Sequence, residues 1–145
     1  MEHTAPIALV VDDSPVVRRY IRARLESGGW AVAEANDAFE GLTMVREMQP
    51  DLVTLDLIMP INNGIDGLHL ARLISEEHPE ITLLIVSGVA SAQDVQGFLN
   101  KHKLEFFGKT EPTNGGFARL FARTDDILHE LHDYMLLTSK DEVLN

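Results

Sequence analysis

Residues 7–15 read Ile7-Ala8-Leu9-Val10-Val11-Asp12-Asp13-Ser14-Pro15. Five apolar residues in a row suit a strand buried on both faces, the environment of a parallel sheet. The run stops on two acids. Ser14 and Pro15 then open a helix, with Ser as N-cap and Pro at the first helical position. A buried strand, an acid pair and a helix start in direct succession form the first unit of an alternating α/β chain.

The pattern repeats outward from that stretch. Val16, Val17, Tyr20, Ile21 and Leu25 give the first helix an apolar face, and Gly28-Gly29 stops it. Trp30 to Ala35 reads as a second strand. Asp37 and Glu40 have capping-box spacing for a helix over 38–48, broken by Gln49-Pro50. Leu52 to Leu55 is a third strand that closes on Asp56. A loop rich in Pro, Asn and Gly follows, Leu57 to Gly64, then a helix from Ile65 to His78 ended by Pro79. Ile81 to Val86 is the strongest strand and finishes at Ser87-Gly88. Ser91 and Asp94 have capping-box spacing for a fourth helix to His102, and Leu104 to Phe107 is a fifth strand before Gly108 and Lys109. Phe117 to Thr138 is the last helix. The five βα units imply a single domain over 1–145, with a core of about 7–128, a C-terminal helix of about 117–138 and a tail of 139–145.

Composition narrows the function. The 145 residues are 45% apolar, enough to bury a core, and carry a formal charge of −11 with no run of Lys or Arg. A chain of that sign is not expected to bind nucleic acid or an anionic membrane surface. There is no cysteine, so disulfides and thiolate metal sites are excluded. Met1 to Pro6 lack the basic start and apolar run of a signal peptide. The apolar stretches fall far short of the ~20 residues of a membrane span, so a cytoplasmic location is expected.

In a parallel sheet, residues just past the C-terminal ends of the strands gather on one edge, where ligands bind. Asp12 and Asp13 follow strand 1, Asp56 strand 3, Ser87 strand 4 and Lys109 strand 5. Three crowded carboxylates repel and call for a cation, and an all-oxygen set suits Mg²⁺. A dication would screen Asp56 and neutralise an incoming phosphoryl group, leaving a carboxylate oxygen to attack phosphorus. Lys109 and the Ser87 hydroxyl would hold equatorial oxygens during the transfer. By contrast His129, His132 and Asp133, at helical spacing, read as a solvated face rather than a metal site.

These residues resemble the response-regulator receiver family of two-component signalling. The matching elements are Asp12-Asp13, Leu55-Asp56-Leu57-Ile58-Met59-Pro60, Gly64, Ser87-Gly88, Phe106 and Lys109. Together they cover residues 7 to about 128. The resemblance implies a five-stranded parallel sheet of order 2-1-3-4-5, doubly wound (flavodoxin-like), here with an extended C-terminal helix. It implies that a histidine kinase or phosphotransfer protein phosphorylates Asp56. Asp13, Asp56 and the backbone carbonyl of Ile58 would hold Mg²⁺, with Asp12 acting mainly through metal-bound water. Ser87 and Phe106 would form a switch that alters binding of a downstream protein. Ile58 and Val89 flank the path of the hydrolytic water and, being apolar, imply a long-lived phosphoryl group. The chain departs from the family in having Thr110 directly after Lys109, where Pro is usual; a trans Lys109–Thr110 peptide with a rearranged loop is expected. It also lacks the small Gly-Ala pair between the last two strands, at 101–105, and has Asn62 where Met is common.

Three functions compete. A stand-alone receiver is favoured, because nothing after Thr138 is long enough for an output domain; a receiver fragment of a longer regulator is the alternative. An aspartyl-phosphate hydrolase of the haloacid-dehalogenase type would need an acid two residues after Asp56, and Ile58 stands there, so the chain is expected to be no enzyme beyond its own phosphorylation and dephosphorylation. A phosphorylation-independent adaptor would not need all five site residues. The last helix, about 33 Å at 1.5 Å per residue, should overhang strands of about 17 Å. Its distal Tyr134, Met135, Leu136 and Leu137 would then meet a partner, either a docked protein or a second copy in a homodimer. A break capped by Thr124 is the bland alternative.

Overall fold

The computed structural model describes residues 5–88, 93–109 and 115–144, and of 93, 94 and 137–144 the backbone alone. Val89, the Ser91 cap, the Lys109–Thr110 peptide and the side chain of Leu137 lie outside the described residues. Five strands and five helices alternate: β1 (Ile7–Val11), α1 (Pro15–Gly28), β2 (Ala31–Ala35), α2 (Ala38–Met48), β3 (Leu52–Leu55), α3 (Gly67–Glu77), β4 (Thr82–Ser87), α4 (Gln93–His102), β5 (Glu105–Gly108) and α5 (Gly116–Leu144). All strand pairs are parallel, in the order β2-β1-β3-β4-β5. The order reverses between β1 and β3, so both acid-bearing strands flank the switch point.

Alternate strand residues feed two cores. Leu9, Val11, Val53, Leu55, Leu83 and Ile85 pack with α2, α3 and α4, while Ala8, Val10, Leu52, Leu84, Val86 and Phe107 pack with α1 and α5. The fully apolar runs of the sequence are therefore strands covered on both faces.

Helix ends follow local chemistry. The Ser14 hydroxyl accepts from Val17 N–H, Asp37 accepts from Glu40 N–H at 2.8 Å, and Gly29 closes α1 at φ +118°, a conformation that favours glycine. Besides single-residue shifts at β2, the end of α3 and the start of α5, the boundaries differ from expectation in three places. First, α3 starts at Gly67 rather than Ile65. Asn62 and Ile65 exchange both backbone hydrogen bonds around Asn63-Gly64, each at positive φ, and the Asp66 carboxylate caps the helix through His69 N–H. Second, β4 and β5 run one residue later than expected, so that Ser87 pairs with Gly108 as the last rung of their ladder. Third, α5 does not stop at Thr138 but runs to Leu144, so 139–144 are helix rather than tail. No Gly or Pro interrupts 117–144, and polar composition alone does not end a helix. Nor does it break at Thr124, whose buried hydroxyl donates to the Phe121 carbonyl within the continuous helix.

Candidate phosphoryl-transfer site

The strand ends bring together the acids, the hydroxyl and the amine expected from the sequence. Asp12 follows the last residue of β1, its N–H donating to Ala35 of β2, and Asp56 follows β3, its N–H donating to Val11. Both carboxylates are nearly fully buried, while Asp13 is exposed. Carboxylate oxygens of Asp12, Asp13 and Asp56 all lie within 4.8 Å of one another.

Each oxygen of Asp56 has a different partner. The fully buried Ser87 hydroxyl and the Ile58 N–H both donate to Oδ1, at 3.0 Å each, and Lys109 Nζ donates to Oδ2 at 2.9 Å. Lys109 also reaches Asp12 Oδ2 at 2.6 Å, and Ser14 N–H donates to the other Asp12 oxygen at 2.9 Å. One amine thus bridges acids from two strands, with its own backbone N–H fixed to the Ser87 carbonyl.

The electrostatics follow from burial and pairing. Burial pushes the Asp12 carboxyl above the usual carboxylate range, and the hydrogen bonds from Lys109 and Ser14 offset only part of that. For Lys109 burial works against the charge, but hydrogen bonds to Asp12 and Asp56, with their negative charges, outweigh it and hold the amine above the ordinary lysine value. Lys109 is therefore a cation at neutral pH. Oxygen donors only, partly buried and open to solvent at Asp13, fit a hard dication such as Mg²⁺ that keeps some of its waters. Among the described residues no other group of three or more acidic or histidine side chains is so arranged; His129 and His132 lie exposed on α5.

Two expected residues are less central. Ile58 contributes its backbone to Asp56, and its side chain is 54% exposed at the rim. Phe106, on β5, is half-buried and packs against the α2–α3–α4 core, whereas its neighbour Phe107 is buried on the other face.

The site also depends on residues that sequence reading passed over. A Cβ on Gly67 would lie 2.5 Å from the Asp56 carbonyl oxygen and 2.7 Å from Leu57 backbone atoms, so α3 can begin this close to Asp56 only with glycine there. A Cβ on Gly116, at the start of α5, would overlap the Gly108 carbonyl just before Lys109. Nothing in the apolar pattern marks either glycine; both reflect a close approach between a strand end and the start of the next helix. Arg18 is the third, donating through one guanidinium nitrogen to the Asp12 carbonyl at 2.6 Å.

The family model for the response regulator receiver domain matches residues 8–119, and the chain belongs to that family. It is 39% identical over 80 residues to protein-glutamate methylesterase/protein-glutamine glutaminase 3 of Hahella chejuensis, covering 54% of this chain and 22% of that protein. It is 33% identical over 86 residues to the probable transcriptional regulatory protein TcrX of Mycobacterium tuberculosis, covering 59% of this chain and 36% of that protein. In structure it matches the receiver domain of the Francisella response regulator 1452 with a TM-score of 0.71 at 22% identity, over 88% of this chain and 98% of that one. The chain thus spans well under half the length of these curated relatives. Among the described residues no helix is long and apolar enough to cross a membrane.

Proposed function

We propose that the chain is a phosphoacceptor receiver of a two-component phosphorelay, acting in the cytoplasm, with Asp56 as the acceptor. The observation that carries this reading is the dressing of the Asp56 carboxylate, with Ser87 and Lys109 on separate oxygens and two further acids within reach. An Asp56 oxygen attacks the phosphorus of a phosphohistidine on a histidine kinase or phosphotransfer protein. The P–N bond breaks, its electron pair stays on the imidazole, and an aspartyl phosphate forms. Asp13, Asp56 and the Ile58 carbonyl would hold Mg²⁺, with Asp12 acting through its water; the ion supplies charge neutralisation at the transferring phosphoryl group. The Lys109 ammonium and Ser87 hydroxyl, already hydrogen-bonded to the acceptor, are at hand to receive two phosphoryl oxygens. Movement of Ser87 toward the phosphoryl group, coupled to Phe106, would change the surface offered to a downstream protein. Acetyl phosphate with Mg²⁺ should add one phosphoryl group to the intact chain, and chelation should prevent it. No mass gain under conditions where the protein is folded would overturn the reading.

The phosphoryl group should persist. Ile58, exposed at the rim of the site, has no group to orient an attacking water, and Val89 is equally apolar. Ile58→Glu should shorten the lifetime roughly tenfold, less than a fully positioned general base provides. The check is the decay of labelled protein after acetyl phosphate is removed; an unchanged or longer lifetime would rule out this role for the position.

The distal part of α5 should serve as a contact surface in a homodimer. Leu120, Phe121, Ile127 and Leu128 are buried against the domain, and Leu131 is packed at the edge of that core. Further along, Tyr134 is 66% and Leu136 58% exposed. Wild type should scatter light as a dimer and a Tyr134→Ser, Leu136→Ser variant as a monomer. A monomeric wild type would remove this interface.

A further inference from the structure

We propose that Arg18 is a positioning residue for the acid pair, acting through the backbone of Asp12. The inference rests on the reading of Asp12, Asp13 and Asp56 as a dication site and deepens it. Asp12 lies just past the β1 ladder, so its carbonyl finds no partner in the regular sheet. Arg18, one turn into α1, donates to that carbonyl through Nη1 at 2.6 Å, the charge-assisted kind of hydrogen bond. Because the peptide unit is planar, fixing the Asp12 carbonyl also fixes the N–H and Cα of Asp13, and with them the direction from which the Asp13 carboxylate enters the site.

Arg18 is itself held. Its Nε donates to Glu34 Oε1 at 3.1 Å, and Arg22 Nη1 donates to the other Glu34 oxygen at 2.9 Å. Glu34 stands on β2 opposite Val10 of β1, two residues before Asp12 in the same paired strands. Burial disfavours the Glu34 charge, but the hydrogen bonds from Arg22 and Arg18 outweigh it and leave the carboxyl below its ordinary value. The Arg18 side chain is only 16% exposed, so the fork has little freedom to turn away. A lysine could carry the charge but could not span a carbonyl and a carboxylate with a planar fork.

The alternative roles make opposite predictions. A guanidinium that merely sat near a cation site would repel the ion, and its removal would tighten Mg²⁺ binding. A merely structural link between α1 and β2 would change thermal stability and leave Mg²⁺ affinity alone. Calorimetric titration of the unphosphorylated full chain with Mg²⁺, beside thermal unfolding without it, separates these. Arg18→Met should weaken Mg²⁺ binding roughly tenfold, the lower end for losing a hydrogen bond to a charged group. Arg18→Lys should fail to restore it, and Glu34→Gln, which loosens the fork from outside the site, should weaken binding by less. Should Arg18→Met not fold, the Glu34→Gln titration decides. Unchanged or tighter binding in the decisive variant, or full rescue by lysine, overturns the inference. If wild type binds no Mg²⁺, or Asp13→Asn binds it equally well, the reading of the site itself falls and the inference with it. That outcome is distinct from one in which wild type binds and the Arg18 variants match it.

Discussion

Asp56→Asn should remain folded and take up no phosphoryl group from acetyl phosphate and Mg²⁺. Asparagine keeps the shape of the side chain and can still accept the Ser87 and Ile58 hydrogen bonds on its carbonyl oxygen. What it lacks is an anionic oxygen able to form the P–O bond, and no neighbour is placed to replace it. Asp12 is nearly fully buried, with one oxygen held by Lys109 and the other by Ser14 N–H. Asp13 is exposed, on the solvent side of the cluster. Folding should survive because the substitution removes one of three mutually repelling carboxylates, and Lys109, which loses its bond to the second Asp56 oxygen, keeps Asp12 as its counter-ion. Intact-mass measurement should show no detectable label, and thermal unfolding should show no loss of stability. Label appearing on Asp12 or Asp13 in this variant would show that the acceptor is wrongly assigned.

Gly67→Ala should damage both fold and chemistry, although alanine is ordinarily the better helix residue by about 1 kcal/mol. The added methyl would lie 2.5 Å from the Asp56 carbonyl oxygen and 2.7 Å from the Leu57 Cα and carbonyl oxygen, all backbone atoms that cannot rotate aside. Overpacking of this kind costs about 1–3 kcal/mol, which exceeds the propensity gain. Relief requires either the start of α3 or the Asp56–Leu57 segment to move, and the latter carries the Asp56 carboxylate and leads directly into the Ile58 N–H that orients it. The thermal midpoint should fall by several degrees and the initial labelling rate by about tenfold or more, a loss matching roughly 1.4 kcal/mol in the transition state. Gly97 on α4 is the control, since a Cβ there meets nothing within 4 Å. Gly97→Ala should be neutral or slightly stabilising and label normally. Wild-type stability and rate in Gly67→Ala would mean that the helix start adjusts without disturbing Asp56.

What could be read from the sequence was set by local chemistry. The strand cores, the Ser14 and Asp37 caps and the Gly29 stop are decided by neighbours along the chain, and the helix over 38–48 appears with the expected limits. Since strand ends were placed to within a residue, Asp12, Asp13, Asp56, Ser87 and Lys109 could be grouped at one sheet edge. The one-residue offsets of β4 and β5 come from ladder pairing, which apolar runs do not encode. The late start of α3 has a signal that was available: Asp66 caps it, and Asn63-Gly64 is a turn pair. The extension of α5 had only the absence of a stop to announce it. The Gly67 and Gly116 approaches and the Arg18–Glu34 fork depend on how strand ends, helix starts and neighbouring strands come together in space, which residue type and spacing do not encode.

The length of α5 also has a mechanical meaning. The helix packs on the domain through Leu120, Phe121, Ile127, Leu128 and Leu131 and runs unbroken to Leu144. Its base begins at Gly116, whose backbone meets that of Gly108, the residue before Lys109. A tilt of about 10° at that base would carry the far end, about 42 Å away at 1.5 Å per residue, through roughly 7 Å. Under the proposed function, a small adjustment around a phosphorylated Asp56 would be enlarged at the far end of this helix.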